Sequence, residues 1–412
     1  MMKNYTKKHI SGLKPSATLS INEKSKKLES EGKKIINFGF GQSPFPIPEK
    51  IVESLRKNAH KKDYLPVHGL PELRKAISKY INLKISESYS EDNIIVGQGS
   101  KQLMFLLHIG FDGEFIFPTS SWVSYEPQAI IGNNKVHWIE TSRENNWFPS
   151  PEQIEKKIKE IKNKKLILVL NSPNNPSGTT CKNFEEIAKV AKKYKIIILS
   201  DEIYSELKFD GKYDSVSKYY PEGTIISSGL SKWCGAGGWR LGFFVIPKNL
   251  KDIFNFTKVL SSESVSSITT PIQYAAVDAF SGDYSDYLSK VRHILNSVGN
   301  YVHKNLKSNK ILISPPEGGF YLMPEFLHSK FKTSQDMCDD ILNSTGVSLL
   351  PGSDFGFQSN KMLARLSFTD FDGTFFLKNI DGSKKLDDDI IKRYAPNVVE
   401  GTKRLSQWSK SL

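Results

Sequence analysis

The sequence lacks the features of a disulfide-rich or metal-binding protein. Only three cysteines occur among 412 residues, Cys181, Cys234 and Cys338, and none belongs to a C-x-x-C pair. This odd, widely spaced set argues against a disulfide framework or a zinc site and favours a reducing compartment. The eight histidines form no H-E-x-x-H motif either, so we expect no metal.

Long apolar runs are also absent. No stretch approaches the ~20 consecutive apolar residues that a membrane-spanning helix needs. Residues 1–8 carry lysines, but no apolar stretch follows them, which is not the pattern of a secretory signal. We therefore expect a cytoplasmic protein with no membrane part.

The chain has fewer acidic than basic residues: it contains 44 Asp and Glu and 57 Lys and Arg, which gives a formal net charge of +13. Such a balance is compatible with nucleic acid, an anionic membrane surface or anionic small molecules as partners. The lysines are dispersed along amphipathic patterns such as residues 155–162, and no helix-turn-helix or basic–aromatic patch is evident. We expect a lysine-rich solvated surface and no nucleic-acid partner.

The first part of the chain alternates between two kinds of pattern. Apolar runs rich in Ile and Val predict strands over 93–96, 114–117, 136–139, 166–170, 196–199, 224–227 and 241–246. Amphipathic patterns predict helices over 101–109, 123–131, 151–161 and 183–194. This alternation predicts an α/β fold with a mostly parallel sheet covered by helices.

The later part of the chain has a different character. Helical patterns cover 249–260, 271–280 and 284–306, and a mixed segment over 311–371 follows, with two hairpin-like strands around a helix near 334–344. We predict a smaller α+β domain here, with terminal helices over 378–412 packing on it. The predicted divisions are an N-terminal segment 1–45 that packs on the small domain, a large domain 46–305 and a small domain 306–412.

Three predicted strands end in polar motifs, at the sheet edge where α/β proteins bind ligands. They run into Asn-Ser-Pro-Asn-Asn-Pro-Ser-Gly at 171–178, Ser-Asp-Glu-Ile-Tyr at 200–204 and Ser-Gly-Leu-Ser-Lys at 228–232. A lysine at such a place, desolvated and near another cation, can lose its proton and form a Schiff base. Lys232 is therefore the candidate nucleophilic amine.

The order of the motifs resembles that of a known family. After Asn-Pro-Ser-Gly, Asp-x-x-Tyr and Ser-Lys come Gly-Trp-Arg-Leu-Gly at 238–242 and Ala-Arg-Leu-Ser at 364–367. Between Lys14 and Phe371 the chain is similar to the class I pyridoxal-phosphate aminotransferases of fold type I, and particularly to their bacterial aspartate aminotransferase branch. The resemblance implies pyridoxal 5′-phosphate as cofactor and ping-pong transfer of an amino group from an L-amino acid to a 2-oxo acid.

The resemblance also implies roles around the cofactor. Lys232 would bind the cofactor and move the substrate's proton, and Asp201 would pair with the pyridinium nitrogen. Tyr204 and Asn175 would hydrogen-bond the ring phenolate. Tyr64 would reach the phosphate from the neighbouring subunit, which implies a homodimer. The remaining residues implied at the cofactor are Gly99, Ser100, Lys101, Trp122, Arg240, and Ser228 or Ser231.

For the substrate, Arg365 would hold the α-carboxylate through a two-point contact, with Gly41, Trp122 and Asn175 lining the same place. Thr18 and Lys101 stand where the aspartate branch contacts a distal carboxylate, which favours aspartate or glutamate. Residues 40–45, however, lack the acidic Glu-Pro-Asp pattern of that branch. An aromatic or other amino-acid aminotransferase, or a fold-type-I β-lyase, therefore stays open.

Overall fold

The structure is a computed structural model that describes residues 5–85, 87–327, 330–380 and 386–411. Its strands are β1 (Ile36–Asn37), β2 (Ile94–Gln98), β3 (Glu114–Pro118), β4 (Val136–Ile139), β5 (Leu166–Asn171), β6 (Ile197–Asp201), β7 (Thr224–Gly229), β8 (Leu241–Val245), β9 (Ile311–Leu312), β10 (Tyr321–Leu322), β11 (Glu325–Phe326), β12 (Val347–Ser348), β13 (Leu350–Pro351) and β14 (Ala364–Ser367).

The α-helices are α1 (Ala17–Ser30), α2 (Glu49–Asn58), α3 (Pro71–Ile85), α4 (Gly99–Gly110), α5 (Tyr125–Ile131), α6 (Pro151–Glu160), α7 (Phe184–Tyr194), α8 (Lys251–Val265), α9 (Thr270–Ser281), α10 (Ser285–Leu306), α11 (Ser334–Thr345), α12 (Gly373–Asn379), α13 (Asp388–Tyr394) and α14 (Pro396–Ser411). Short 3-10 helices lie in several of the connections. Within the described ranges, no helix is both long enough and apolar enough to cross a bilayer.

The central sheet has seven strands in the order β2-β8-β7-β6-β5-β3-β4. All neighbours pair in parallel except β8, which is antiparallel to both β7 and β2. This arrangement confirms the predicted mostly parallel α/β sheet. The exception at β8 follows from the short connection after β7, because a parallel return needs a crossover of a dozen or more residues, usually with a helix.

Helices cover both faces of this sheet. Neighbouring residues of a strand point to opposite faces, so Ile167 packs in one apolar cluster with residues of α4, α5 and α8, while Leu168 packs in another with residues of α6 and α7. The near-continuous apolar runs seen in the sequence are what such two-sided burial requires.

The C-terminal part forms small sheets, and some of their paired strands lie far apart in the sequence. β14 lies between β10 and β13 and is antiparallel to both, while β1 near the N-terminus pairs in parallel with β12. The predicted hairpin-like strands lie on either side of α11, where β9 pairs antiparallel with β11 and β13 pairs antiparallel with β14, but β10 also pairs with β14 across α11, which was not predicted. The helix expected near 334–344 is α11, which begins at Ser334 and ends at Thr345.

The C-terminal stretch forms helices α12, α13 and α14 in its described part. Trp408 of α14 donates its Nε1 hydrogen to Asp340 of α11 at 2.8 Å, which ties the last helix to this region. Residues 381–385 of the predicted terminal stretch lie outside the described residues. The proposed divisions near residues 45 and 305 stay predictions.

Candidate active site

One cavity of about 530 Å³ collects residues that follow β5, β6 and β7 together with one from β14. The sequence-predicted residues that line it are Thr18, Gly41, Ser100, Lys101, Trp122, Asn175, Asp201, Tyr204, Ser231, Lys232, Arg240 and Arg365. Segments far apart in the sequence thus meet in one place. Tyr64 lies outside this lining and is 89% exposed.

Lys232 lies in the turn after β7 and is half-buried in the cavity wall. Its Nζ donates a hydrogen bond to the Gly41 carbonyl at 2.9 Å and lies 5.6 Å from the centre of the Tyr204 ring. Among the described residues, it forms no ion pair with a carboxylate. An amine that is not ion-paired with a carboxylate is available to form a Schiff base with a carbonyl ligand.

Asp201 is the last residue of β6 and is only 4% exposed. Burial raises the pKa of its carboxyl to about 6, although a hydrogen bond from Tyr125 and the charge of Lys232 oppose the rise. The Tyr125 hydroxyl donates to Asp201 Oδ2 at 2.6 Å. A buried carboxylate whose hydrogen-bond partners, the Tyr125 hydroxyl and the Ile203 backbone N–H, are neutral fits a cationic ligand group, such as a protonated ring nitrogen.

The Tyr204 hydroxyl, also buried, lies 3.0 Å from the hydroxyl of Tyr321. Burial raises the pKa of Tyr204 well above its ordinary value, and the neighbouring Tyr321 raises it further. Tyr204 therefore stays a neutral phenol and can donate a hydrogen bond to an anionic oxygen in the cavity.

The turn after β5 is held by amide side chains. Asn171 donates from Nδ2 to the Asp201 carbonyl at 2.8 Å and accepts from the Asn175 backbone N–H at 2.7 Å. Asn174 accepts from the hydroxyls of Ser120 and Ser177. These bonds set the position of the Asn175 side chain, which accepts from Arg365 Nη1 at 3.2 Å.

Arg365 is 1% exposed on β14. Its Nη2 donates to the Gly39 carbonyl at 2.7 Å, and its Nε has no hydrogen-bond partner within the described part of the chain. Burial lowers the pKa of this guanidinium below its ordinary value. A buried cation that forms no ion pair with any described carboxylate, Asp354 acting on it only at longer range, and that has an orphaned donor fits a carboxylate ligand.

Two glycines allow close packing around the start of α4, beside Ser100 and Arg240 of the cavity lining. A β-carbon on Gly99, whose φ is +72°, would lie 2.4 Å from Arg240 Nη2, and one on Gly242 would lie 2.2 Å from the Ser100 nitrogen. The backbone N–H groups of the first turn of α4 face no intrahelical carbonyl and favour an anion. With Arg240 beside them, they form a cradle that fits a phosphate.

The structure separates the two candidate serines. Ser231 lines the cavity, whereas the buried Ser228 places its hydroxyl 3.5 Å from the Glu202 carbonyl. Gly229 lies between them, and a β-carbon there would come within 2.7 Å of the Leu241 carbonyl. A serine at position 229 would therefore collide with β8.

Thr18 and Lys101 lie in another part of the lining, where α1 and the first turn of α4 approach each other. Lys101 Nζ is 5.4 Å from the centre of the Trp122 ring and has no ion-pair partner among the described residues. Burial, together with the charge of Arg240, lowers the pKa of Lys101. A second acidic group of a ligand would remove that unfavourable concentration of positive charge.

Sequence reasoning missed several residues of the site, among them Tyr125, Asn171 and Tyr321. Asn171 could have been found, because an amide that ends a buried strand is a signal at the binding edge of a sheet. Tyr125 and Tyr321 carry no such signal. Each contacts the site through a partner at least 76 positions away in the chain.

A mostly parallel sheet whose strand ends bring a lysine and a buried aspartate to one cavity, together with a buried arginine from β14 and a phosphate-sized cradle, defines an enzyme for an anionic cofactor and carboxylate substrates. The chain belongs to the family "Aminotransferase class I and II", whose model matches residues 33–372. It is accordingly a pyridoxal-phosphate-dependent transferase that moves an amino group between an amino acid and a 2-oxo acid. The predicted fold, cofactor and enzyme class are confirmed.

Similar proteins cover nearly the whole chain. The aspartate aminotransferase of Bacillus sp. YM-2 is 31% identical over 376 residues, 87% of this chain and 94% of the relative. An asparagine–oxo-acid transaminase of Streptococcus mutans is 32% identical over 369 residues, 85% and 92% of the two chains. The solved structure of the Thermus thermophilus aspartate aminotransferase with maleate has a TM-score of 0.85 at 25% identity, covering 98% and 100%.

Proposed function

We propose that the cavity binds pyridoxal phosphate covalently at Lys232 and that the enzyme acts on a dicarboxylic amino acid, aspartate or glutamate, with a 2-oxo acid such as 2-oxoglutarate as acceptor. The observation that carries the proposal is that Lys232, Asp201 and Arg365 line one cavity. A nucleophilic amine, an anion for the ring nitrogen and a cation for the α-carboxylate thus share one space.

When bound, pyridoxal phosphate supplies the electron sink for negative charge at the amino acid's α-carbon. Asp201 keeps the ring nitrogen protonated, and Tyr204 and Asn175 orient the ring through its phenolate oxygen. Once the substrate's amino group displaces it from the cofactor, Lys232 Nζ would be free to take the proton from the substrate's α-carbon and to return it on the cofactor side, and its flexible stem suits both positions.

The other predicted cofactor residues hold its phosphate and ring face. Ser100, Ser231, Arg240 and the N-terminus of α4 bind the phosphate, with Gly99 leaving room for Arg240, and Trp122 lies against the ring. Ser228 is the less suitable of the two serines, because its hydroxyl is turned toward a buried carbonyl.

We further propose a homodimer in which Tyr64 reaches the phosphate of the neighbouring site. A tyrosine that is 89% exposed in the single chain supports this arrangement, since a large aromatic side chain is stabilised when a partner covers it. The described cysteines Cys181, Cys234 and Cys338 are all free and buried, which supports a cytoplasmic location.

The distal carboxylate of the substrate is assigned to Thr18 and Lys101, at the part of the cavity lined by α1 and α4, while Arg365 and the Gly41 backbone hold the α-carboxylate end. Lys101, without an ion-pair partner, supports this assignment. The Thermus relative, whose structure was solved with maleate, a dicarboxylate, is consistent with it.

A second candidate is an aminotransferase for another amino acid. Gln42 lines the cavity at a position where the sequence resemblance leads one to expect an acid, and an asparagine–oxo-acid transaminase is among the relatives. A β-lyase would use the same cofactor residues, so the reaction itself must be tested.

The deciding experiment adds glutamate alone to the holoenzyme. We expect the absorbance of the Lys232-bound cofactor to give way to that of the aminated cofactor, and 2-oxoglutarate to reverse the change. If no amino acid causes the shift while ammonia or a thiol is released, the transferase proposal is wrong. Comparing aspartate, glutamate, asparagine, phenylalanine and alanine then ranks the substrates.

A further inference from the structure

Tyr321 is a buried phenol in the cavity wall that the proposed chemistry does not use. It begins β10 and pairs with Ser367 of β14, the strand that carries Arg365. Although Tyr321 is only 1% exposed, it lines the cavity. A hydroxyl is expensive to bury without hydrogen bonds, so its contacts indicate what it does.

The hydroxyl of Tyr321 lies between two groups of the site. It is 3.0 Å from the Tyr204 hydroxyl and 3.5 Å from the Gly41 carbonyl, the same carbonyl that accepts from Lys232 Nζ. A β-carbon on Gly41 would lie 1.9 Å from this oxygen. The backbone of Gly41 is therefore shaped around the Tyr321 hydroxyl.

Hydrogen counting assigns a direction to this arrangement. Each phenol has one hydrogen to donate, and the Gly41 carbonyl can only accept. If Tyr204 donates its hydrogen to the cofactor's phenolate oxygen, it can only accept from Tyr321, whose single hydrogen then goes to Tyr204 at 3.0 Å and not to the Gly41 carbonyl at 3.5 Å. Donation from Tyr321 polarises the Tyr204 hydroxyl and strengthens its hydrogen bond to the anion.

The ring of Tyr321 lies against Arg365, the proposed ligand of the substrate's α-carboxylate. Arg365 Cζ lies 4.7 Å from the centre of this ring and 5.3 Å from that of Phe355. An aromatic face attracts a guanidinium and restricts its orientation. The same side chain thus contacts the group that binds the α-carboxylate and the group that tunes the cofactor.

We propose that Tyr321 is a positioning residue with two separable functions: its hydroxyl strengthens the hydrogen bond that Tyr204 donates to the cofactor, and its ring orients Arg365 for the substrate carboxylate. This inference rests on the proposed functions of Tyr204 and Arg365. It adds that the cofactor and carboxylate ends of the site are joined through one side chain.

Two variants of the holoenzyme separate the functions. Tyr321→Phe keeps the ring and removes the hydroxyl, so the pH midpoint of the cofactor's absorbance transition should rise by about half to one unit, with little change in amino-acid KM. Tyr321→Leu also removes the ring, and should raise the KM for the amino acid roughly tenfold above that of Tyr321→Phe.

Tyr80→Phe is the matched control, because it removes the hydroxyl of a half-buried tyrosine, bonded to Glu206 at 2.5 Å, outside the cavity lining. It should leave both readouts unchanged, and thermal unfolding of all variants shows whether they are folded. An unshifted pH midpoint in folded Tyr321→Phe overturns the hydroxyl function, and equal KM values in the two Tyr321 variants overturn the ring function.

The wild-type enzyme distinguishes failure of this inference from failure of the proposed function. If wild-type protein forms no Lys232-bound cofactor or shows no amino-acid-dependent change, the proposed function is wrong, and the inference is rejected with it. If wild type behaves as proposed while the Tyr321 variants match it, only the inference is wrong.

Discussion

The floor and the rim of the cavity differ in how many of their polar groups already have hydrogen-bond or ion-pair partners within the protein. The floor consists of Asp201, Tyr204 and Asn171, and Tyr125 is hydrogen-bonded to Asp201; all four are buried and hydrogen-bonded to other protein groups. The rim consists of Thr18, Leu19 and Lys101, where Leu19 is 56% exposed and Lys101 lacks an ion-pair partner within the described ranges.

The difference follows from where each part lies in the fold. The floor residues Asn171 and Asp201 end two central strands of the sheet, so their position is set by the ladder of backbone hydrogen bonds. The rim comes from α1 and the first turn of α4, outside the sheet. The fold thus fixes the floor residues before any ligand binds, whereas Lys101 at the rim lacks an ion-pair partner that an acidic ligand group could supply.

The largest effect is expected for Lys232→Ala, which removes the amine in the cavity wall beside the floor. Without this amine no Schiff base can form, so borohydride should trap no cofactor adduct on the protein and transamination should be lost. Mass spectrometry of the trapped peptide checks this. The exposed Lys403→Ala is the control, and an adduct that persists on the peptide containing position 232 would reject the assignment.

Arg365→Ala should raise the KM for the amino acid roughly 100-fold, since a charge-assisted two-point contact is lost, while the cofactor's absorbance stays unchanged. Steady-state kinetics and an absorbance spectrum test both statements. Arg365→Lys keeps the charge but not the planar fork and should fall between wild type and Arg365→Ala. An unaltered KM would contradict the carboxylate function.

Tyr125→Phe tests the floor by removing the hydrogen bond that the Tyr125 hydroxyl donates to Asp201. Burial raises the pKa of Asp201 to about 6, and the Tyr125 hydrogen bond opposes that rise, so its removal should raise this pKa further. Only the ionised carboxylate pairs with the ring cation. Cofactor affinity should therefore decline as pH falls through the pKa, starting about one pH unit higher in the variant.

Titration of apoenzyme with pyridoxal phosphate across pH measures this shift. Tyr287→Phe, which loses a hydrogen bond to the Pro46 carbonyl at 3.0 Å, is the control and should follow the wild-type curve. Identical curves for Tyr125→Phe and wild type would show that Tyr125 does not tune Asp201.

The smallest effects belong to the rim. Lys101→Ala should lower the ratio of kcat/KM for aspartate over alanine about tenfold, because one partly exposed charged hydrogen bond is lost. Thr18→Val should lower the same ratio by roughly threefold. Lys26→Ala on α1 serves as control. If Lys101→Ala weakens aspartate and alanine equally, Lys101 does not contact a distal carboxylate.

Much of the fold was predictable because it depends on local pattern. The strands that became β3, β5, β6 and β7 were visible as apolar runs, and the motif at the end of each of the last three could be located from its residues alone. The reversed β8 and the pairing of β10 with β14 were not, since strand direction and long-range register depend on which segments meet in space.

The site shows the same division. Lys232 was predicted from its place at a strand end, and the roles predicted for Asp201 and Arg365 came from the family resemblance that the order of the motifs carries. Tyr125 and Tyr321 were not predicted, because a tyrosine at the start of a helix or strand resembles an ordinary core residue. Their partners lie 76 and 117 positions away.

The sequence by itself therefore determined the kind of sheet and the family, and it predicted Lys232 as the reactive amine, since each depends on short-range order along the chain. Only the tertiary structure decided which hydroxyl faces Asp201, which ring lies against Arg365 and which of the two serines lines the cavity. These outcomes are set by packing and hydrogen bonding between distant segments, and a buried polar group finds its partner only once those segments are together.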